Sequence, residues 1–536
     1  MIRDRMAEGI ESGWTVLDAS TLTADRTIEA DVAIVGTGAG GGVAAEILAR
    51  AGLRVVMVEE GPLKTSSDFK MREADAYPQL YQESAARKTK DKAINILQGR
   101  CVGGSTTVNW TSSFRTPPQT LGWWQRHYGL ADLGVESLLP WFETMERRLN
   151  IRRWDVRPNE NNDLLRRGGE KLNIPTAAIR RNVKGCWDLG YCGVGCPTNA
   201  KQSMLVTTIP SALSAGATLV HRLRAERLAL SGDRVASLEC VAMEAAGIRP
   251  LAHRVRINAR HFVLAAGAIG SPALLLRSAA PDPHGLLGKR TFLHPTAVCA
   301  ALMEHRVNGY SGAPQSVYSD HFLETQAIDG PIGFKLEAPP LHPVLFATTL
   351  HGFGAAHAEL MRQFTASHVL IALLRDGFHA ESAGGAVRLR DDGTPVLDYP
   401  ITDFLWEGVR RAWLTMAEIQ FAAGAKSVMP VHEQAPVFSS WAEAQAGIAK
   451  LALTPNIARV VSAHVMGGCG MAAEAKAGVT NSYGRHHQLG NLTVCDGSLF
   501  PTSIGANPQL SIYGLAARNA SRLTEELSGK PASAIS

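Results

Sequence analysis

The stretch DVAIVGTGAGGGVAAEILARAGLRVVMVEEG, residues 31–61, constrains this chain more than any other. An apolar run, VAIV, meets G-x-G-x-x-G at Gly36, Gly38 and Gly41. The helix-like GGVAAEILARAG follows, and then a second apolar run, RVVMVEE. The pattern predicts strand, glycine turn, helix and strand, a βαβ unit that cradles a dinucleotide. Gly36 lets the chain turn tightly, Gly38 lets backbone approach a pyrophosphate, and Gly41 lets helix and strand pack closely. Ala39 lies where the helix opens and its first N–H groups point at phosphate. Glu59, followed by Glu60 and Gly61, ends the second strand, where an acid hydrogen-bonds ribose hydroxyls. An acid there, rather than an arginine, disfavours the 2′-phosphate of NADP. NAD and FAD stay open.

The chain has 536 residues, enough for two or three domains or one large α/β enzyme. An apolar share of 45% supports a sizeable core and excludes a disordered chain. The net charge of +5 is spread thinly, without long basic runs, so no nucleic-acid partner is expected. The N-terminus shows no apolar signal region, and no run is long and apolar enough for a transmembrane helix. The expected location is therefore the cytoplasm, with peripheral membrane contact left open. Eight cysteines in so long a chain do not make a disulfide framework, and Cys240, Cys299 and Cys495 read as small buried hydrophobes.

Further along, LQGRCVGGSTTVNWTSSFRTP (97–117) is rich in small residues and backbone donors suited to phosphate or a flat ring. Residues 120–180 look helical, and 218–265 alternate as strands that run into AIGSPALLLRSA. Candidate ligand-binding segments thus occur near residues 36, 100, 267 and 496. They predict a discontinuous nucleotide domain (28–150, 200–300 and 458–530). The segments 150–200 and 300–457 are left for a Cys/Gly-rich stretch and a substrate domain.

Five segments together, GTGAGG…VEEG, GRCVGGSTTVN, GAIGSPALLLRS, HVMGGCGM and DGSLFPTSIGANPQ, resemble the glucose–methanol–choline (GMC) flavoprotein oxidoreductases along nearly the whole chain. KGCWDLGYCGVGCPTNAKQS and KRTFLHP look most like the long-chain alcohol oxidase and dehydrogenase branch. The resemblance implies an α/β fold: a glutathione-reductase-type Rossmann domain, plus an α+β substrate domain with a large, mostly antiparallel sheet and helices. It implies FAD. Gly36, Gly38 and Gly41 would hold the pyrophosphate and Glu59 the adenosine ribose. Gly103, Gly104, Ser105 and Asn109 would lie along the flavin, Asp496 and Gly497 near the ribityl and pyrophosphate part, and Ala506 and Asn507 near the isoalloxazine. Val108 stands where some relatives attach FAD through a histidine, so a non-covalent flavin is expected.

Oxidising an alcohol at a flavin needs a base for the hydroxyl proton and an α-carbon hydride aimed at N5. His464 precedes Gly-Gly-Cys-Gly and matches the family's catalytic histidine, which implies the base role. Asn507 matches the second catalytic position. An amide can hold the substrate oxygen but cannot serve as a base. The segment after His464 lacks the family's usual Thr and Arg, leaving less polarity near the ring.

Cys186, Cys192 and Cys196, followed by Pro197, leave several readings open: structural thiols, an iron–sulfur cluster, zinc or a redox pair. HPVLFATTLHGFGAAHAELM and ASHVLIALL read either as the lining of an apolar tunnel or as ordinary core helices. The expected partners are a small alcohol, apolar or long-chain by resemblance, and oxygen or another electron acceptor. The alternatives are a cytochrome-linked GMC dehydrogenase of a sugar or polyol with an iron–sulfur cluster, and a flavin-containing hydroxynitrile lyase.

Overall fold

The structure is a computed structural model that describes residues 2–532. The apolar run at 32–35 forms the inner part of the strand Arg26–Val35, buried on both faces as a parallel strand must be. It sits inside an eight-stranded sheet. In order, the strands are Val16–Asp18, Thr218–His221, Val55–Glu59, Arg26–Val35, Pro250–Leu264, Arg234–Met243 and Leu223–Ser231, with Leu492–Val494 paired beside Pro250–Leu264. Pairing is parallel from Val16–Asp18 through to Pro250–Leu264 and Leu492–Val494. It turns antiparallel in the three-stranded meander at 223–264, as the alternating pattern of 218–265 predicts.

The helix Ala39–Arg50 packs against the helices Thr208–Ser214 and Gln509–Ser528. It is buried without a break from Gly40 to Ala49, and the small residues Gly40, Gly41, Gly42, Ala44 and Ala45 let its neighbours approach closely.

A second eight-stranded sheet is almost wholly antiparallel. It runs through Ile94–Ile96, Val460–Ser462, Thr296–Leu302, Ser367–Leu374, Phe334–Glu337, Val317–Ser319 and Ala177–Ala178, with Ser427–Pro430 added beside Thr296–Leu302. The twenty-residue helix Asp403–Ala422 covers one face of it, burying Trp406, Trp413 and Met416. This is the α/β and α+β combination expected. The segment ASHVLIALL is not a helix, however. It is the strand Ser367–Leu374, because its β-branched and apolar run is buried on both faces between neighbouring strands.

A small four-stranded sheet (Lys289–Leu293, Gly385–Leu389, Pro395–Asp398, Val465–Gly467) joins the two large ones. The chain passes from it to the second sheet at His294–Pro295 and returns at Ala463–His464. Among the described residues, no helix is long and apolar enough to cross a membrane.

Candidate active site

One cavity of about 1060 Å³ runs from the glycine turn to His464 and Asn507. Gly36, Gly38, Ala39, Glu59, Glu60, Gly104, Ser105, Val108, Asn109, Asp496, Gly497 and Asn507 all line it, so residues far apart in sequence share one wall. Gly41, Gly61, Gly103 and Ala506 do not.

The glycine turn has the geometry that a phosphate cradle needs. Gly36 has φ +95°, and a side chain there would meet the Ala265 carbonyl at 2.4 Å. Gly38 is different: its φ is ordinary, and an added Cβ would find only Gly104 Cα at 3.9 Å, which leaves open space toward the cavity. Gly38 caps the helix Ala39–Arg50 without any side-chain hydrogen bond, so the first N–H groups remain for a ligand. Gly104, at φ +53°, closes over the turn, and its Cβ would lie 2.8 Å from Gly38 Cα.

Glu59 is tied to the glycine turn by three hydrogen bonds. Its Oε2 accepts from Thr37 N at 3.1 Å and Thr37 Oγ1 at 2.6 Å, and its Oε1 accepts from Gly61 N at 3.0 Å. The Thr37 hydroxyl in turn accepts from Gly103 N at 3.0 Å. Glu59 therefore fastens the glycine turn to the 100–108 segment, and burial pushes its carboxyl above the usual range. Oε1 keeps a lone pair for a sugar hydroxyl. Asp496 plays the same part on the other wall: Oδ2 accepts from Gly267 N at 2.9 Å and Ser271 Oγ at 2.5 Å, and Oδ1 from Ser498 N at 2.8 Å. Asn109 donates from Nδ2 to Gln509 Oε1 at 2.8 Å.

The reacting end is buried and polar. His464 Nδ1 lies 3.0 Å from His294 Nδ1, with the rings nearly perpendicular. Burial, and then the positive charge of Lys335, hold the His464 pKa down to about 4, so the ring is neutral near pH 7. Asn507 Nδ2 donates to Glu337 Oε2 at 3.4 Å. Gln315 Nε2 donates to the same carboxylate, whose pKa burial raises. Lys335 Nζ sits over the Phe114 ring at 3.1 Å and reaches Asp320 Oδ1 at 3.1 Å. Asn507 Oδ1, Trp110 Nε1 and Ser112 Oγ are buried in this wall without partners, as polar groups that meet a bound ligand are.

A dinucleotide fits these features: an open approach at Gly38, uncapped helix N–H groups, an acid at the second strand and orphaned polar atoms at the far end. His294, Glu337, Gln315 and Lys335 were not singled out from sequence. His294 alone left a trace, in the KRTFLHP segment.

Two segments whose reading the sequence left open can be placed. No residue of 342–374 lines the cavity, so those apolar segments form no tunnel into it. They pack instead around Phe346, Val369 and Met429. Among the described residues, no three His, Cys, Asp or Glu side chains converge as metal ligands, and Cys186, Cys192 and Cys196 stand as free, half-buried thiols. All eight cysteines are free. The Cys192 loop is held by buried cations: Lys201 Nζ donates to the Cys192 carbonyl at 2.8 Å, and Arg181 Nη2 reaches Cys192 Sγ at 3.7 Å.

Residues 77–296 match the N-terminal family of GMC oxidoreductases and residues 380–516 the C-terminal one, together more than half of the chain. The long-chain-alcohol oxidase FAO1 of Arabidopsis thaliana is 27% identical over 522 residues, covering 93% of this chain and 67% of that protein. Among solved structures, a formate oxidase of Aspergillus oryzae shares the fold at TM-score 0.69 and 14% identity, over 94% of this chain and all (100%) of that one. Pyridoxine 4-oxidase from Mesorbium loti does so at TM-score 0.66 and 20% identity, over 92% of this chain and 98% of that one. The chain therefore belongs to the GMC oxidoreductases, FAD-dependent enzymes that act on CH–OH donors.

Proposed function

We propose that this protein oxidises an alcohol to an aldehyde or ketone, with His464 and Asn507 on the substrate oxygen and non-covalently bound FAD. The observation that carries this reading is the shared cavity, which joins the glycine turn to His464 and Asn507. FAD, when bound, supplies the hydride acceptor. Everything else falls to the chain. The Gly36–Ala39 turn and Glu59 anchor the nucleotide half, and Asp496 and Asn109 position the segments along its length. Asn507 Nδ2 has two hydrogens; Glu337 holds one, and the other is offered to the oxygen as negative charge develops there. His464, held neutral by burial and Lys335, is in the charge state that can take the hydroxyl proton.

Val108 lies in the cavity wall and carries no nucleophile, which supports a flavin held without a covalent bond. The similarity to long-chain-alcohol oxidases supports an apolar alcohol. Gln315 in the cavity wall, and Glu337 behind Asn507, supply polar surroundings for the hydroxyl group. The test is anaerobic mixing of the purified flavoprotein with a panel of primary, secondary, long-chain and polyhydroxy alcohols. Bleaching of the flavin by long-chain alcohols supports the reading, and admission of air then separates an oxidase from a dehydrogenase. A flavin that stays oxidised with every alcohol while mandelonitrile is cleaved would transfer the chain to the lyases.

A further inference from the structure

His294 and His464 stand at the two crossovers between the same pair of sheets. Leu293 pairs with Val465 on one side, and Thr296 with Val461 on the other, so the strand register brings the two rings together, nearly perpendicular. Their Nδ1 atoms are 3.0 Å apart. On its far side, His294 Nε2 lies 3.1 Å from the backbone nitrogen of Gly505.

These contacts fix the protons. A backbone N–H can only donate, so His294 Nε2 is the acceptor and carries no proton. A neutral imidazole has one N–H and one bare nitrogen, so the proton of His294 is on Nδ1 and points at His464 Nδ1. His464 Nδ1 then accepts, and its own proton lies on Nε2, the ring nitrogen left for the cavity. We infer that His294 is a positioning residue that sets the tautomer of His464, so that the resting enzyme presents an Nε2–H donor, not a bare nitrogen, to the substrate oxygen. Both rings are held neutral by burial, as the assignment requires.

His464 and Asn507 then meet the oxygen as two donors, an arrangement that stabilises an alkoxide. Neutral imidazole is a competent donor in this role. To accept the hydroxyl proton at Nε2, His464 must instead carry its proton on Nδ1, and His294 must carry its own on Nε2. Each ring keeps one proton and only the sites change, but the hydrogen bond from Gly505 is lost. His294 thereby governs how readily His464 turns from donor to base. The catalytic meaning rests on the proposed alcohol oxidation; the tautomer itself does not.

Nitrogen-15 NMR of the FAD-loaded protein labelled in histidine tests this, because two-bond couplings from the ring carbon protons separate the two tautomers. Comparison with His464→Gln assigns the signals. The expected result is Nε2–H for His464 in the wild type, changing to Nδ1–H in His294→Asp, whose carboxylate can only accept and can serve Gly505 N–H and His464 together. A wild-type His464 protonated on Nδ1, or an unchanged tautomer in His294→Asp, would overturn the inference. If His294→Asp does not fold, the wild-type spectrum alone decides. An enzyme that oxidises no alcohol would sink the proposed function and leave the tautomer result standing.

Discussion

His294 and His464 are 170 positions apart in the chain, yet their Nδ1 atoms lie 3.0 Å apart, because both occupy crossovers between the same two sheets. The base proposed for the reaction thus sits in a two-residue connection fixed at both ends by strand pairing. Replacing His464 by Ala should leave flavin content unchanged and slow flavin reduction by alcohol by about 10²–10⁴-fold in anaerobic stopped flow, the usual range for a lost acid–base group. A near wild-type rate would remove His464 from the chemistry.

Gly38 and Gly36 should respond differently to the same change. In Gly38→Ala the new methyl meets open cavity, so the folded apoprotein should melt near the wild-type temperature while FAD affinity drops sharply. In Gly36→Ala the methyl meets the Ala265 carbonyl in a left-handed backbone, so the fold itself should weaken. Thermal melts of the apoproteins alongside flavin titration check both. Equal loss of stability in the two would contradict this view of the turn.

Iron and acid-labile sulfide should be absent from the purified protein. Its visible spectrum should be that of flavin alone, unchanged when Cys186, Cys192 and Cys196 are each replaced by Ser. Stoichiometric iron, lost in any one of these variants, would show that the thiols do converge.

His368 is fully buried on the strand Ser367–Leu374, neither ring nitrogen has a partner among the described residues, and burial holds its pKa down to about 3. In the unfolded chain the ring titrates near 6.5. The folded state therefore binds fewer protons between those values, and stability is lost as pH falls from about 6.5 toward 3. Each unit of such a shift is worth ~1.4 kcal/mol. His368→Leu should stabilise the protein by about 1–3 kcal/mol at neutral pH, since an unpartnered buried polar group is removed. It should also flatten the acid loss. Melting temperatures of the two proteins at pH 7.5 and 5 measure this, and an equal drop in both would contradict it.

The nucleotide half of the site was legible because its determinants are local. Gly36, Gly38 and Gly41 sit in one turn, and Glu59 ends the adjacent strand, so spacing alone brings them together. The assembly of His464 with Asn507 was legible only through resemblance. The contacts of His294, Glu337, Gln315 and Lys335 were not legible at all. Each depends on strand register across sheets, and no periodicity in a single segment reports which histidine will face which. Within 342–374, ASHVLIALL could not be resolved from sequence for a different reason. A short apolar run such as ASHVLIALL has the same composition as a buried strand or a buried helix, and only its neighbours decide between them.

On the proposed reading, one cavity holds FAD against an alcohol gripped by His464 and Asn507. Anaerobic titration of the purified yellow protein with a long-chain primary alcohol, followed by absorbance near the flavin maximum, tests it most directly. The account predicts full bleaching in wild type and slow or absent bleaching in His464→Ala with flavin retained. A chain that purifies without flavin and cannot be loaded, or a flavin that no alcohol reduces, would contradict it.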